Sequence, residues 1–426
     1  MADSTKQTLV RFAPMIYGPT ALFAMGEGAV LPLIPIVASR LGADLALAAL
    51  IASAVVVGQL VGNLPAGWFV ARFGERSTMA GAGTLALLGV VGVILSPNLP
   101  VLSAAVFLIG LCAAAFGLAR HAFMTTRVPI EFRARALSLL GGAFRLGMFV
   151  GPFAAALLLA ITGSTTSAAW FFAACLVLTV LLVLFGTDPE VALQVQDVSE
   201  RRLLQPADTG EAITGAIDLP LTQTQGVFRT MATHRRVLSR LGLAAASLSA
   251  VRSARQVVLP LWGVSLGLEP QTISLVIGVA GAIDFALFYA SGQVMDKFGR
   301  LWAVMPAMLL IGLGFVGLAL THDVTEAQMW FAMFAAVIGV GNGLSSGVLL
   351  TLGADVAPQH NPAAFLGSWR TLSDAGGATA PLLFSALAAV ATLSVATGAI
   401  GAIALLGALG FWRWVPMFVH RPGTHI

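Results

Sequence analysis

Seven charged side chains lie within long apolar stretches of this sequence, and they are the residues best placed to do chemistry. They are Glu27, Arg145, Arg252, Arg255, Asp284, Arg370 and Asp374. A charge at the centre of a lipid bilayer costs about 3 kcal/mol on insertion scales. We therefore expect each of them to face protein or water, and to take part in ion pairing, solute binding or proton transfer.

Glu27 is the strongest candidate for reversible proton binding. It precedes Pro32 by five residues. Arg255 precedes Pro260 by the same distance, so the two positions are expected to be equivalent in two repeats and opposite in charge. At about 1.5 Å per residue, both lie about 21–22 Å into their apolar segments, near the middle of a membrane. A carboxyl group beside an arginine there can exchange a proton as its surroundings change. The alternative is that Glu27 only pairs with an arginine and holds helices together.

The other charged residues are predicted to form a local pair or to contact solute. Arg370 and Asp374 are four residues apart, so they face one side of a helix and are expected to pair with each other. Arg252 and Arg255 could bind a carboxylate or a phosphate. Asp284 and Asp374 are further candidates for proton coupling. The predicted lining of a solute cavity comprises Glu27, Arg145, Arg252, Arg255, Gln256, Tyr17, Asn342 and Trp262.

The apolar segments that carry these residues have the length of membrane-spanning helices. The chain is 58% hydrophobic and only 10% charged, whereas soluble proteins carry about 25% charged residues. A spanning helix needs about 20 apolar residues. Twelve segments qualify: 12–37, 45–70, 77–95, 99–121, 136–161, 168–186, 241–266, 271–293, 301–320, 327–352, 364–388 and 393–416. The sequence therefore predicts an all-α polytopic membrane protein.

A polar segment at 187–240 divides the twelve spans into two sets of six. We predict an N-terminal bundle at 1–186, a cytoplasmic central loop at 187–240, a C-terminal bundle at 241–416 and a cytoplasmic tail at 417–426. The stretch from Arg229 to Arg240 is typical of a helix lying on the membrane surface. Most of the 23 Lys and Arg residues fall on one side and Arg40 falls opposite, so the positive-inside rule places both termini in the cytoplasm.

A short basic turn occupies the same place in each half. Between spans 2 and 3 it contains Gly67, Arg72, Gly74 and Arg76, and between spans 8 and 9 it contains Gly292, Asp296, Lys297, Gly299 and Arg300. Such a repeat indicates a duplicated bundle, which is how secondary transporters are built.

These features resemble those of the major facilitator superfamily over nearly the whole chain. The second turn matches the family's Gly-x-x-x-Asp-Lys/Arg-x-Gly-Arg motif, whereas the first has Ala71 in place of Asp and Glu75 in place of a base. The resemblance implies two pseudo-symmetric six-helix bundles around a cavity lined by spans 1, 4, 7 and 10. It implies a charge lock on the cytoplasmic side that depends more on Asp296. It also makes spans 5 and 8 neighbours, so we expect an ion pair between Arg145 and Asp284, which lie at comparable depth.

Span 5 carries a second family feature. Its residues Gly142, Gly147, Gly151 and Pro152 include Gly-x-x-x-Gly-Pro, which resembles the motif of the family's antiporters, notably drug:proton exporters. Ordinary glycine packing is the alternative interpretation. The family's usual arginine within span 4 is missing, because Arg120 is expected near the cytoplasmic end of that helix.

Together these features predict a monomeric proton-coupled antiporter that exports small hydrophobic or amphipathic molecules from a bacterium across its inner membrane. The proton gradient is the expected energy source, since the chain lacks the Gly-x-x-x-x-Gly-Lys-Ser/Thr loop of ATP-binding proteins. No cofactor, metal or nucleic-acid partner is expected, and topology explains the net charge of +4. The alternatives are transport of organic anions or lipid-like solutes by the intramembrane arginines and, more remotely, a sensor that transports nothing. An enzyme is not expected, because no nucleophile–base set or metal-ligand spacing is visible.

Overall fold

The protein is described by a computed structural model that covers residues 16–127, 130–186, 233–358 and 362–419. Helices account for nearly all of these ranges, and no strand occurs in them. The twelve long helices are α1 Gly18–Arg40, α2 Leu45–Phe73, α3 Glu75–Ile94, α4 Leu99–Arg127, α5 Ile130–Thr162, α6 Thr166–Phe185, α7 Leu243–Ser265, α8 Pro270–Phe298, α9 Arg300–Leu320, α10 Ala327–Val356, α11 Pro362–Val390 and α12 Leu393–Phe418. The predicted all-α fold with twelve helices is confirmed.

Ten of the helices are long and apolar enough to cross a membrane by length and composition. The other two are α7 and α11, which carry Arg252 and Arg255, and Arg370 and Asp374. These charges lie on the walls of cavities within the protein, so the two helices need less apolar surface than their neighbours.

The two halves repeat the same packing. In the first half α1 packs on α5 and α6, α2 packs on α4, and α3 packs on α4 and α6. In the second half α7 packs on α11 and α12, α8 packs on α10, and α9 packs on α10 and α12. Each contact of the second half is therefore a contact of the first half shifted by six helices. The halves meet mainly where α5 packs on α8 and α2 packs on α11.

Two helices are interrupted near their middle. In α1 a 3-10 turn at Leu31–Leu33 separates two α-helical parts, because Pro32 and Pro35 each lack a backbone N–H. In α10 the helix stops after Leu344 and resumes at Val348, with Gly347 at a φ of +77°. Both interruptions lie beside the cavities between the halves.

One side of the interface between the halves is closed by apolar contacts. We call the closed side the Arg40 side, since Arg40 ends α1 there. We call the other side, which carries the two basic turns, the motif side. The closing cluster comprises Ala29, Leu33, Ile36, Ala155, Leu159, Ala168 and Ile273, with Phe171, Val264, Leu268 and Ile277 packed against it. Ser53 of α2 and Ser385 of α11 are also hydrogen-bonded, with 3.3 Å between their Oγ atoms. The cavities described below lie on the motif side of this closure.

The basic stretch before α7 differs from its prediction. The helical residues Arg235–Val237 and Leu238–Gly242 lead into α7 without a break. Arg235, Arg236 and Arg240 therefore extend α7, whereas the part of the predicted surface helix from Arg229 to residue 232 lies outside the described residues. The remainder of the central loop, residues 187–232, and the tail from residue 420 lie outside the described residues.

Candidate functional site

Two cavities lie between the halves on the motif side of the apolar closure. The first, the central cavity, has a volume of about 310 Å³ and is lined by α1 and α5 of the first half and α7, α8 and α10 of the second. The second, the Glu27 cavity, has a volume of about 250 Å³ and is lined by α1, α2, α4 and α5 together with α7 and α11. Phe144, Ser249 and Ser253 line both cavities. These three residues therefore form the partition between them.

Asp284 is the centre of a charge network on the wall of the central cavity. Arg145 of α5 donates from Nη1 to its Oδ1 at 2.8 Å. Arg255 of α7 places Nη2 3.6 Å from Oδ2, and Asn342 of α10 donates to the same oxygen at 2.5 Å. The predicted contact between Arg145 and Asp284 is present, and it joins the two halves. One carboxylate thus holds three side chains from three helices.

The predicted arginines of α7 line the central cavity on one face of that helix. Arg252, Arg255 and Gln256 occur at helical spacing of three and four residues, which places them side by side. The guanidinium of Arg145 also lies over the ring of Phe288, 4.8 Å from its centroid. Positive charge is therefore concentrated where α5, α7 and α8 meet.

Glu27 is buried at 4% exposure on the wall of the second cavity. Gln59 donates a long hydrogen bond from Nε2 to its Oε1, at 3.4 Å. Its charge interacts with that of Arg120, which lines the same cavity. Arg120 in turn lies over the ring of Phe144, 4.9 Å from the centroid, and within the described chain its Nε is buried without a hydrogen-bond acceptor.

The prediction for Arg120 was wrong. It was expected near the cytoplasmic end of span 4, with no arginine of that helix available at the site. The structure extends α4 to Arg127, so Arg120 lies inside the helix and beside Glu27. Conversely, Glu27 and Arg255 line different cavities in this state. The arginine that faces Glu27 comes from α4.

Arg370 and Asp374 form the predicted pair on α11. The Nε of Arg370 lies 3.6 Å from Oδ2 of Asp374. Both residues also line the Glu27 cavity. This cavity therefore combines two carboxylates with two guanidinium groups, whereas the central cavity has three guanidinium groups and one carboxylate among its lining residues. The two cavities differ in charge as well as in position.

The glycines of span 5 bring α5 against the backbone of α1. A Cβ added to Gly147 would lie 2.8 Å from the amide nitrogen of Met25, and one added to Gly151 would lie 2.7 Å from that of Ala29. A side chain at either position would separate the two helices. Gly142 is different, since an added Cβ would meet nothing within 4 Å. Pro152 lines the central cavity.

The two basic turns have the same backbone but different partners. Gly74 and Gly299 end α2 and α8 with φ of +80° and +94°, a conformation that side chains other than glycine rarely adopt. Arg76 donates to the carbonyl oxygens of Val183, Leu184 and Gly186 at the end of α6. Arg300 instead pairs with two carboxylates.

In the second turn, Arg300 donates from Nε to Asp355 at 2.9 Å and lies 3.5 Å from Asp296. Lys297 lies over the ring of Phe298, 5.3 Å from its centroid. Arg72 is exposed, and Gly67 and Gly292 have no neighbour closer than 4.0 Å to an added Cβ. The first turn thus binds a helix end, and in the second turn Arg300 is held mainly by Asp355. The side chain of Asp296 is 84% exposed and contacts Arg300 of its own turn, so the charge lock expected to depend on Asp296 stays a prediction.

Two residues predicted to line the cavity lie elsewhere. Trp262 is completely buried, and its ring packs edge-on against that of His322. Tyr17 has a buried hydroxyl group without a hydrogen-bond partner among the described residues. Neither residue lines the central cavity or the Glu27 cavity. Phe144, Ser249 and Ser253, which do, were missed because only the rotation of α5 and α7 shows which faces meet.

Two repeated six-helix halves that meet around polar cavities define a secondary membrane transporter. The family model described as Major Facilitator Superfamily matches residues 19–381. The chain belongs to this superfamily.

Solved structures show the same fold. The chain is similar to a POT family transporter in complex with a thioalcohol-conjugated peptide, with a TM-score of 0.73, 12% identity and coverage of 95% of this chain and 96% of that chain. It is similar to the xylose transporter XylE from E. coli in a partially occluded inward-open conformation, with a TM-score of 0.69, 14% identity and coverage of 96% and 98%. It is also similar to a mutant peptide transporter POT in complex with sulfate, with a TM-score of 0.70, 15% identity and coverage of 95% and 94%. No curated protein sequence matches the chain.

Proposed function

We propose that this protein is a proton-coupled antiporter that exports small amphipathic molecules across the inner membrane of a bacterium, with both termini in the cytoplasm. The observation that carries the proposal is the position of Glu27, a carboxyl group 4% exposed on the wall of a cavity between the two halves. In this class of transporter the halves rock around a central site and expose it to each side in turn. A proton-binding group at that site meets both sides of the membrane during one cycle.

The surroundings of Glu27 support exchange of a proton. Its only hydrogen bond within the described chain is the long one from Gln59, and the opposing charge is that of Arg120. Loss of the negative charge would leave Arg120 without its counterion. Because Arg120 packs on Phe144, and Phe144 lines both cavities, a change of charge at Glu27 acts directly on the wall of the central cavity. That is the coupling an antiporter requires.

The central cavity has the size and lining of a site for a small molecule. Ligand sites commonly have volumes of about 300–1,000 Å³ and apolar walls with a few polar groups. Here the rings of Phe149 and Phe285 are stacked, with centroids 5.6 Å apart, and both line the cavity together with the guanidinium groups described above. An amphipathic solute would place its apolar body on the rings and its polar group toward the arginines.

The proposed direction of transport is export, and two observations support it. The apolar cluster closes the Arg40 side, and both cavities lie on the motif side. The positive-inside rule assigns the motif side to the cytoplasm, so this state is open to the side from which an exporter takes up its solute. The Gly-x-x-x-Gly-Pro resemblance to antiporters of the family supports the same direction.

The proposal is tested with purified protein in liposomes that contain a pH-sensitive dye and carry an imposed pH gradient. Cationic, neutral and anionic aromatic solutes are added in turn to wild type, to Glu27→Gln and to Glu269→Gln. Glu269 is exposed at the start of α8 and serves as the control carboxylate. We expect solute-triggered proton flux in wild type and in Glu269→Gln, and none in Glu27→Gln.

A second measurement shows whether Glu27→Gln is folded and still binds solute. Exchange of labelled solute across liposomes without a pH gradient does not require proton coupling, so this variant should retain it. Wild-type proton flux in Glu27→Gln would show that the coupling residue has been assigned wrongly.

A further inference from the structure

Arg252 is a cationic side chain on the wall of the central cavity. Among the described residues, no carboxylate is paired with it. Within the described part of the chain it forms no ion pair and no hydrogen bond, whereas Arg145 and Arg255 both contact Asp284. The charges that act on Arg252 include those of Arg145 and Arg255, which repel it, and that of Asp284, which attracts it. A charge inside a membrane protein normally has a partner, because leaving it unpaired costs several kcal/mol. The missing partner of Arg252 is therefore expected to be a ligand.

The charge balance of the cavity gives the sign of that ligand. Three arginines line the central cavity, and Asp284 is the one carboxylate among its lining residues. The carboxylate is already occupied by Arg145, Arg255 and Asn342. An excess of positive charge remains, and an anion would relieve the mutual repulsion of the arginines.

The neighbours of Arg252 define the rest of the ligand. Gln256 lies one helical turn further along α7 and also lines the cavity, so it can donate to an anionic oxygen. The stacked rings of Phe149 and Phe285 line the same cavity. A guanidinium group presents parallel donors that match a carboxylate or a phosphate. An anionic head with an aromatic or aliphatic body fits this arrangement.

We propose that the central cavity binds small organic anions and that Arg252 holds their carboxylate or phosphate group. This inference rests on the proposed transport function and names its substrate class. A site for anions differs from a site for neutral or cationic compounds in its relative affinity for the three charge types, which can be measured by binding alone, without transport. The same anionic chemistry could come from a free organic acid or from a lipid headgroup, and the two sources are separated below.

The first test uses wild-type protein in neutral detergent and isothermal titration calorimetry. The probes are 2-naphthoate, its neutral amide 2-naphthamide, and the cation 2-naphthylmethylamine, which share one aromatic body. We expect 2-naphthoate to bind at least about tenfold more tightly than the other two, since a hydrogen bond to a charged group contributes about 1.5–3 kcal/mol. Equal binding of the three probes would overturn the proposal. This comparison needs no variant, so it does not depend on the folding of one.

The second test uses Arg252→Gln, Arg252→Lys and the control Arg40→Gln. Arg40 donates to Thr165 on the far side of the apolar closure and takes no part in the cavity. For 2-naphthoate we expect about a tenfold to hundredfold loss of affinity in Arg252→Gln, a smaller loss in Arg252→Lys and no change in Arg40→Gln. Affinity for 2-naphthamide should be the same in all four proteins. Unchanged affinity for 2-naphthoate in Arg252→Gln would refute the assignment of the anion to Arg252.

A fourth probe, dihexanoyl phosphatidic acid, identifies the source of the anion. Tighter binding of 2-naphthoate indicates an organic acid, and tighter binding of the phosphatidic acid indicates a lipid phosphate; both outcomes support the anion site. If neither binds, the proposal fails. The Glu27→Gln variant should still bind 2-naphthoate more tightly than 2-naphthamide, because Arg252 lines the central cavity and Glu27 does not. Anion binding combined with intact proton flux in that variant would therefore contradict the coupling role of Glu27 while leaving the anion site in place.

Discussion

Replacing Asp284 by Asn should destabilise the protein more than replacing the arginine that it holds across the interface. Asp284→Asn leaves Arg145 and Arg255 without a carboxylate, in a cavity that already contains Arg252. Removal of one partner from a buried ion pair costs about 3–5 kcal/mol. Arg145→Gln removes one charged hydrogen bond of 2.8 Å but leaves Asp284 with two other partners, so its cost should be about 1.5–3 kcal/mol.

The double variant gives the sharper result because the effect of Arg145 should change sign. In wild type Arg145 stabilises the fold through Asp284. In Asp284→Asn it is one of three unneutralised arginines around one cavity, so its removal relieves repulsion. We expect Arg145→Gln to recover about 1–2 kcal/mol in that background, within the range of coupling energies between contacting residues.

The assay is thermal denaturation of the purified proteins in detergent, followed by size-exclusion chromatography of the remaining folded fraction. The expected order of stability is wild type, Arg145→Gln, the double variant and, least stable, Asp284→Asn. A double variant less stable than Asp284→Asn would mean that the two residues act independently. The charge network across the interface would then be unsupported.

Two further predictions concern the walls of the site. Gly151→Ala should lower the free energy of unfolding by about 1–3 kcal/mol and reduce proton-coupled transport in the dye assay, because its methyl group would press on α1 at Ala29. The control Gly142→Ala should change neither quantity. Equal effects of the two variants would rule out the helix contact as the cause. Phe144→Leu should raise proton flux in the absence of solute several-fold. Arg120 would lose an aromatic contact worth about 0.5–2 kcal/mol, and the partition between the two cavities would become thinner. An unchanged proton leak would contradict the role of Phe144 as a partition.

The helices and the pairing of Arg145 with Asp284 could be predicted because they depend on local properties. The length of an apolar stretch predicts a membrane span. The pair was predicted because the family resemblance makes spans 5 and 8 neighbours and the two residues lie at similar depth along them. Arg120 shows where this method fails. Span 4 was predicted to end at residue 121, so Arg120 was assigned to its end, but α4 continues to Arg127. Its last turns are polar, and hydropathy therefore does not reveal that the helix goes on.

Trp262 shows a different limit, because helical spacing gives the face of a residue but not how far along the helix the cavity extends. Arg252, Arg255, Gln256 and Leu259 follow one another at helical spacing and line the cavity. Trp262 continues this spacing, three residues after Leu259 and seven after Arg255, so the pattern assigns it to the same face. It nevertheless lies beyond the end of the cavity and packs against His322. The partition formed by Phe144 and the serines of α7 could not have been found in this way, since it depends on how α5 and α7 are turned toward each other.

The backbone contact between α1 and α5 has a mechanical consequence. Glu27 is carried by α1 and Arg145 by α5, and Gly147 and Gly151 leave no compressible side chains between these helices. The pair is therefore stiff, with Glu27 of the Glu27 cavity on one helix and Arg145 of the central cavity on the other. A displacement of either helix is therefore passed to the other without being absorbed between them, so under the proposed function proton binding and solute binding would move the two helices together.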